Sequence, residues 1–265
     1  MSSLVMTGRT DTGMVREHNE DCFLIVPESG IAILADGMGG HLAGEVASAM
    51  AIDQVAQYLL YAFNEARNAN QDSGKDRSFE TAALVEAIKA ANSAIHQASL
   101  AKPEQTGMGT TIVVASFHEN LMTVAHVGDS RLYRYRRGTL TQITEDHSMV
   151  QELLRRGLIS PEEARTSVNR NLVTRALGVD PAVEVDVSEQ AFEDKDVYLL
   201  CSDGLNDVLT DEEISALLAQ HGDNLEFAAQ KMIAEVNARG GPDNVSIVLI
   251  RTNGNFVATR TGSRG

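Results

Sequence analysis

Five times in this chain an aspartate borders an apolar run of strand length, so the fold must be one in which strand ends converge. Asp36 closes Ile31–Ala35 and opens the glycine-rich stretch that runs to His41. Asp129 closes Val124–Gly128, and Asp203 closes Val197–Ser202. Asp21 enters Cys22–Val26, and Asp243 sits just before Val245–Ile250. A carboxylate at a strand end is held at the rim of a sheet. Several gathered there repel one another unless a cation lies between them. An oxygen-only ligand set suits a hard ion, magnesium or manganese, rather than zinc.

The pattern between these aspartates predicts the layers. Ala43 to about Ala66 carries Val46, Met50, Val55, Leu59 and Phe63 near one helical face, and no proline interrupts it. Asn68–Ser78 is polar and reads as an exposed loop. A second amphipathic helix follows with Leu84, Ile88, Ala91 and Ile95 at helical spacing, ended by Pro103 and Gly107. Then come hairpins, Thr110–Phe117 with Leu121–Gly128 and Arg131–Arg136 with Thr139–Ile143. Further strands are expected at Val183–Val187, Val197–Cys201 and Val245–Arg251, with helices at Asp211–Leu218 and Leu225–Ala238. Hairpin-linked strands imply antiparallel pairing, and long helices between strand groups imply covering layers. The expected fold class is α+β, a central sandwich of two mostly antiparallel sheets with helices on both outer faces. One domain spans residues 1–251, and 252–265 is a flexible C-terminal tail.

Composition removes several functions. The chain has 265 residues, 37 acidic against 22 basic, and a formal charge of −15. That balance argues against a nucleic-acid partner, which needs a basic face. It suits a phosphorylated substrate only if bound cations reverse the sign at the site. The aromatic and arginine run Arg131–Arg137 reads as a solvated hairpin rather than a nucleic-acid platform. No apolar stretch is long enough to span a bilayer, and Met1–Arg9 has no signal-peptide pattern. Cys22 and Cys201 lack metal-ligand spacing and are expected to be free thiols of a reducing, cytoplasmic compartment.

The ordered segments Arg16–Asp21, Ala35–His41, Met108–Thr111, Val127–Arg131, Thr144–Ser148, Arg175–Gly178, Cys201–Leu205 and Gly241–Val245 cover nearly the whole chain. Together they resemble the metal-dependent protein serine/threonine phosphatases of type 2C, especially the compact bacterial members. The resemblance implies hydrolysis of phosphoserine and phosphothreonine by a water or hydroxide shared between two manganese or magnesium ions. It implies that Asp36 bridges those ions, that Gly37 offers its carbonyl, and that Asp203 and Asp243 complete one ion's ligands. Glu20 and Asp21 become outer-shell groups holding metal-bound waters. Arg16 becomes the fork that grips the phosphoryl group. His41 stands beside the metals, either protonating the leaving oxygen or fixing the turn. His96, His126 and His147 are read as structural. A third, weaker ion is expected at Asp129.

Each residue also has a plainer reading. Asp36 could cap the helix that begins near Ala43, and Asp-Gly or Pro-Asp-Asn is ordinary turn chemistry. Rival functions are a catalytically silent phosphoprotein-binding module and a hydrolase of small phosphate esters. No Walker-type phosphate loop or dinucleotide fingerprint is present. The expected partners are phosphorylated proteins, including a serine/threonine kinase and its substrates, and the expected state is a monomer. Asp146–Gly178, polar and broken by Gly157 and Pro161, is expected to be a mobile flap. Its arginines 155, 156, 165, 170 and 175 would meet the substrate.

Overall fold

The computed structural model describes residues 4–39, 42–68, 77–101, 107–167, 169 and 172–254. In chain order the elements are β1 (Leu4–Asp11), β2 (Asp21–Val26), β3 (Ile31–Met38), α1 (Ala43–Asn68), α2 (Arg77–Ala101), β4 (Gly109–Thr110), β5 (Ile112–His118), β6 (Leu121–Val127), β7 (Arg131–Arg136) and β8 (Thr139–Gln142). There follow α3 (Met149–Arg155), α4 (Pro161–Thr166), β9 (Asp186–Ala191), β10 (Val197–Cys201), α5 (Asp203–Asn206), α6 (Asp211–His221), α7 (Leu225–Ala238) and β11 (Val245–Thr252).

One sheet runs β1-β11-β10-β7-β8 and the other β2-β3-β5-β6-β9, with β4 paired to β3. Every pairing is antiparallel. The central strands are apolar on both faces, as strands covered on both sides must be. On β3, Ile31, Ile33 and Ala35 pack toward α1 and α2, while Ala32 and Leu34 face the other sheet. On β11, Val245, Ile247 and Leu249 meet α6 and α7, while Val248 and Ile250 point inward. Three apolar cores therefore separate four layers, helices, sheet, sheet, helices. Phe117 and Tyr198 lock the middle core edge to face, their rings 5.3 Å apart.

The long helices bury the stripes that periodicity indicated. Ala47, Ala51, Val55 and Leu59 of α1 and Leu84, Ile88, Ala91 and Ile95 of α2 are all buried. Alanine at the first two α1 positions lets its backbone approach β3 closely. Capping boxes start α4 at Ser160–Glu163 and α6 at Thr210–Glu213.

Among the boundaries that differ from expectation, four bear on the layout of the sheets and the site. The strand expected at Val183–Val187 begins at Asp186 and runs to Ala191. Its partner β6 pairs His126 with Asp186 and then ends, so Val183 and Val185 pack on the helix-side core without a ladder. Asp36 lies inside β3, not at its end, because β4 extends the pairing to Met38. Asp203 opens a short helix, α5, rather than a bare turn. The last strand includes Thr252, buried and paired with Leu4, so the expected tail loses its first residue to the sheet. Residues 255–265 and most of the expected loop 68–78 lie outside the described residues. Among the described residues no helix is long and apolar enough to cross a membrane.

Candidate active site

The rim of the sandwich assembles the aspartates through backbone register. Asp21 and Asp36 are direct partners in the β2–β3 ladder, so their side chains share one face. Ser202 Oγ donates to Asp21 Oδ2 at 2.8 Å, tying β2 to the end of β10 in the other sheet. Thr111 grips β3 beside Asp36: its amide donates to the Asp36 carbonyl at 2.8 Å, and its Oγ1 accepts from the Asp36 amide at 3.0 Å.

Gly37 sits where no side chain fits. A Cβ there would lie 2.2 Å from the Gly44 carbonyl oxygen and 2.6 Å from that of Glu20. Its omission lets the first turn of α1 settle against β3, bringing Glu20 to the same rim. Gly128 is constrained likewise, with φ +109° and a Cβ position 2.6 Å from the Thr111 side chain. It turns the chain so that Asp129, nearly buried, follows directly.

Asp203, at the start of α5, and Asp243, in the turn before β11, are brought together by close packing. A Cβ on Gly204 would lie 2.0 Å from the Asn244 carbonyl, so α5 packs straight onto the turn that carries Asp243. Asn244 fixes that turn. Its Nδ2 donates to the carbonyls of Thr12 and His18, both at 2.9 Å, and its Oδ1 accepts from the Glu20 amide at 2.8 Å. Arg16 Nη2 donates to Asp243 Oδ2 at 2.7 Å.

A cavity of about 210 Å³ results, lined by Asp36, Asp129, Asp203, Asp243, Glu20 and Arg16 among others. Arg16 is the sole cation among its described lining residues. Burial, then repulsion from Asp21, Asp203, Asp129 and Asp243, holds the Asp36 carboxyl well above its usual range. Asp203 is raised by burial and by Asp129, Asp207 and Asp243. Burial is the largest cause for Asp21 and Asp129, each pushed up to about 6. Carboxylates so placed are poorly ionised unless a cation joins them.

The residues present fit divalent metal. The donor set is oxygen only, and Asp21 Oδ1 and Glu20 Oε1 are buried without a hydrogen-bond partner. No group of three such side chains among the described residues is already assembled as a cage.

A second cavity, of about 460 Å³, shares Asp129 and Asp203 with the first and extends between α3 and the Asp207–Glu212 segment. Arg131, on its wall, is held by Asp146 through contacts of 2.7–3.0 Å. Of the flap arginines, Arg175 donates to Asp186 at 2.6 Å and Arg156 pairs with Glu152. Arg155 is exposed, while Arg170 and the side chain of Arg165 lie outside the described residues. His41 also lies outside them. His96 Nδ1 meets the Gly178 carbonyl at 3.1 Å, and His126 Nε2 the Glu145 carbonyl at 2.8 Å, as structural histidines do.

Sequence reasoning therefore located the carboxylates and Arg16 but missed Thr111, Ser202 and Asn244, which hold them. All three stand inside the quoted motifs, but nothing in the motifs marks them as supports of the carboxylates.

The protein phosphatase 2C family model matches residues 15–245. The serine/threonine phosphatase stp of Listeria welshimeri is 38% identical over 258 residues, covering 92% of this chain and 94% of that protein. The crystal structure of the Mycobacterium tuberculosis serine/threonine phosphatase PstP superposes with TM-score 0.83 at 38% identity, covering 94% of this chain and 99% of that one. A structure of the PstP catalytic domain in complex with two manganese ions gives TM-score 0.81 at 38% identity, with 94% and 98% covered. The chain belongs to the protein phosphatase 2C family.

Proposed function

We propose that this chain is a metal-dependent protein serine/threonine phosphatase, carried by one observation: four buried or partly buried aspartates and a glutamate line one cavity with a single arginine, and Asp21 lies buried beside Asp36. Asp36, the Gly37 carbonyl, Asp203 and Asp243 would hold two manganese or magnesium ions, with Glu20 and Asp21 behind them. When bound, such ions supply acidified water and neutralise charge on phosphoryl oxygens. A cation that displaced Arg16 from Asp243 Oδ2 would free Nη2 for a phosphoryl oxygen. The planar guanidinium then orients the phosphate for in-line displacement. His41, four residues beyond Gly37 in sequence, is the candidate donor of a proton to the leaving serine or threonine oxygen.

Every carboxylate position of this reading is filled, which argues against a silent binding module. The larger cavity beside Asp129 and Asp203 offers room for the polypeptide on either side of the phosphoresidue, favouring phosphoproteins over small esters. We infer a monomeric, cytoplasmic enzyme opposing a serine/threonine kinase. Its phosphatase domain runs through Thr252, the end of the last strand, and is followed by the tail. Two free cysteines, Cys201 fully buried, support a reducing compartment. With manganese, phosphoserine and phosphothreonine peptides will release phosphate about tenfold faster or more than nucleotides do. Equal or faster nucleotide hydrolysis would overturn the protein-substrate reading.

Asp129 is proposed to serve a third, weaker ion at the junction of the two cavities. Asp129→Ala will then raise the manganese concentration for half-maximal activity about tenfold. An unchanged midpoint and rate would reduce Asp129 to a turn residue.

A further inference from the structure

The segment that begins the flap grips the corner carrying Asp129 through one histidine. His147 meets Gly128 twice. Its amide donates to the Gly128 carbonyl at 2.9 Å, and its ring Nδ1 accepts from the Gly128 amide at 3.0 Å. The next hydrogen bond out, Thr174 amide to His147 carbonyl at 2.8 Å, joins the far strand of the flap base to the same point. An isolated bridge between Ser148 and Val173 continues that link, and Val173 lines the carboxylate cavity.

A neutral imidazole has one bare nitrogen. The Gly128 amide can only donate, so that bond needs a bare Nδ1 and puts the hydrogen on Nε2. Asp186 Oδ2, 3.5 Å from Nε2, is the acceptor facing it. Arg175 Nη1 also approaches Nε2 at 3.1 Å, and a neutral ring cannot accept at both nitrogens. The clamp on Gly128 therefore requires Arg175 Nη1 to direct its hydrogens to Asp186 Oδ1 and the Glu184 carbonyl. His126 stacks on the opposite ring face with centroids 4.6 Å apart, fixing the plane. Gly128 itself cannot shift toward β5, because Thr111 occupies that side.

We propose that His147 is a positioning residue of this phosphatase, whose Nδ1 acceptor holds the Gly128 amide and so aims Asp129 into the carboxylate cavity. The proposal rests on the phosphatase reading for its effect on activity, but not for the hydrogen bond itself. Without the acceptor, the Gly128 amide is buried and unsatisfied, and the corner relaxes to find water. Partners that orient a metal-binding carboxylate in this indirect way matter to affinity nearly as much as the ligand.

Asparagine and glutamine separate this role from mere space filling. Asparagine places Oδ1 three bonds from Cα, as histidine places Nδ1. Glutamine reaches the Nε2 region and leaves the Nδ1 position empty. In His147→Gln the Gly128 amide will exchange with deuterium about tenfold faster, and manganese binding by calorimetry will weaken severalfold, up to the about tenfold expected of Asp129→Ala. His147→Asn will retain both near the wild-type values. Identical behaviour of the two variants, both intact or both impaired, overturns the proposal. Should His147→Gln not fold, the wild-type ring decides. Nitrogen-15 shifts with bare Nδ1 and protonated Nε2 support the clamp, and a proton on Nδ1 overturns it. Absence of phosphatase activity in wild type would sink the functional reading while leaving the exchange and ring measurements decisive for the clamp.

Discussion

Asp36→Asn will lower turnover of phosphothreonine peptides by about a thousandfold or more while the fold persists. The side chain is buried and repelled by Asp21, Asp203, Asp129 and Asp243. Asparagine keeps its shape and removes its charge. The variant loses the capacity to hold cations at the centre of the cavity, but the backbone bonds from Thr111 that fix this part of β3 remain. In chelator the variant will melt no lower than wild type, and its relative gain will grow as pH rises. A carboxyl whose folded value is raised supports the fold while protonated, and that support is lost as pH climbs through the raised value. A neutral amide has nothing to lose over that range. Near wild-type turnover would place the chemistry elsewhere, and a collapsed melting transition would make Asp36 a structural residue.

Stripping divalent metal will abolish activity and invert the ordinary pH dependence of stability around this site. Asp21 and Asp129 titrate near 6 in the metal-free fold, against a usual value of 3.8. Protonated, they favour the folded state. Their contribution is complete below about pH 4 and is lost as pH rises through about 6. Stripped protein will therefore melt lower at pH 8 than at pH 5. Manganese favours the ionised carboxylates instead, so loaded protein will regain its stability at pH 8. At a hundred times the dissociation constant the gain is about 2.7 kcal/mol. Calorimetric melts at the two pH values, with chelator and with manganese, check the inversion. Equal melting temperatures with and without metal at pH 8 would leave the aspartates without a cationic partner.

What was legible in the sequence was whatever local pattern determines. The α1 and α2 stripes, the antiparallel hairpins and the position of every candidate carboxylate follow from periodicity, turn residues and motif order. Long-range register was less legible. β9 starts at Asp186 because β6 stops pairing at His126, which no pattern within residues 183–187 records. Asp36 lies inside its strand because Gly109 and Thr110, more than seventy residues on, extend the ladder. The bond from Arg175 to Asp186, eleven residues on, is likewise recorded by no local pattern. Ser202, Thr111 and Asn244 are ordinary polar residues in sequence. Their importance appears only when the two sheets bring Ser202 to Asp21, Thr111 to Asp36, and Asn244 to the loop between β1 and β2.

The central claim is that the aspartate cavity takes up divalent cations and that their uptake turns on phosphate release. It is tested by titrating manganese into chelator-stripped wild type and Asp36→Asn, reading bound ion by calorimetry and phosphate release from a phosphothreonine peptide in the same samples. The account predicts saturable binding to wild type with phosphate release rising in step, and loss of both in the variant. Phosphate release by stripped wild type before any manganese is added, or equal release by the two proteins throughout the titration, would contradict it.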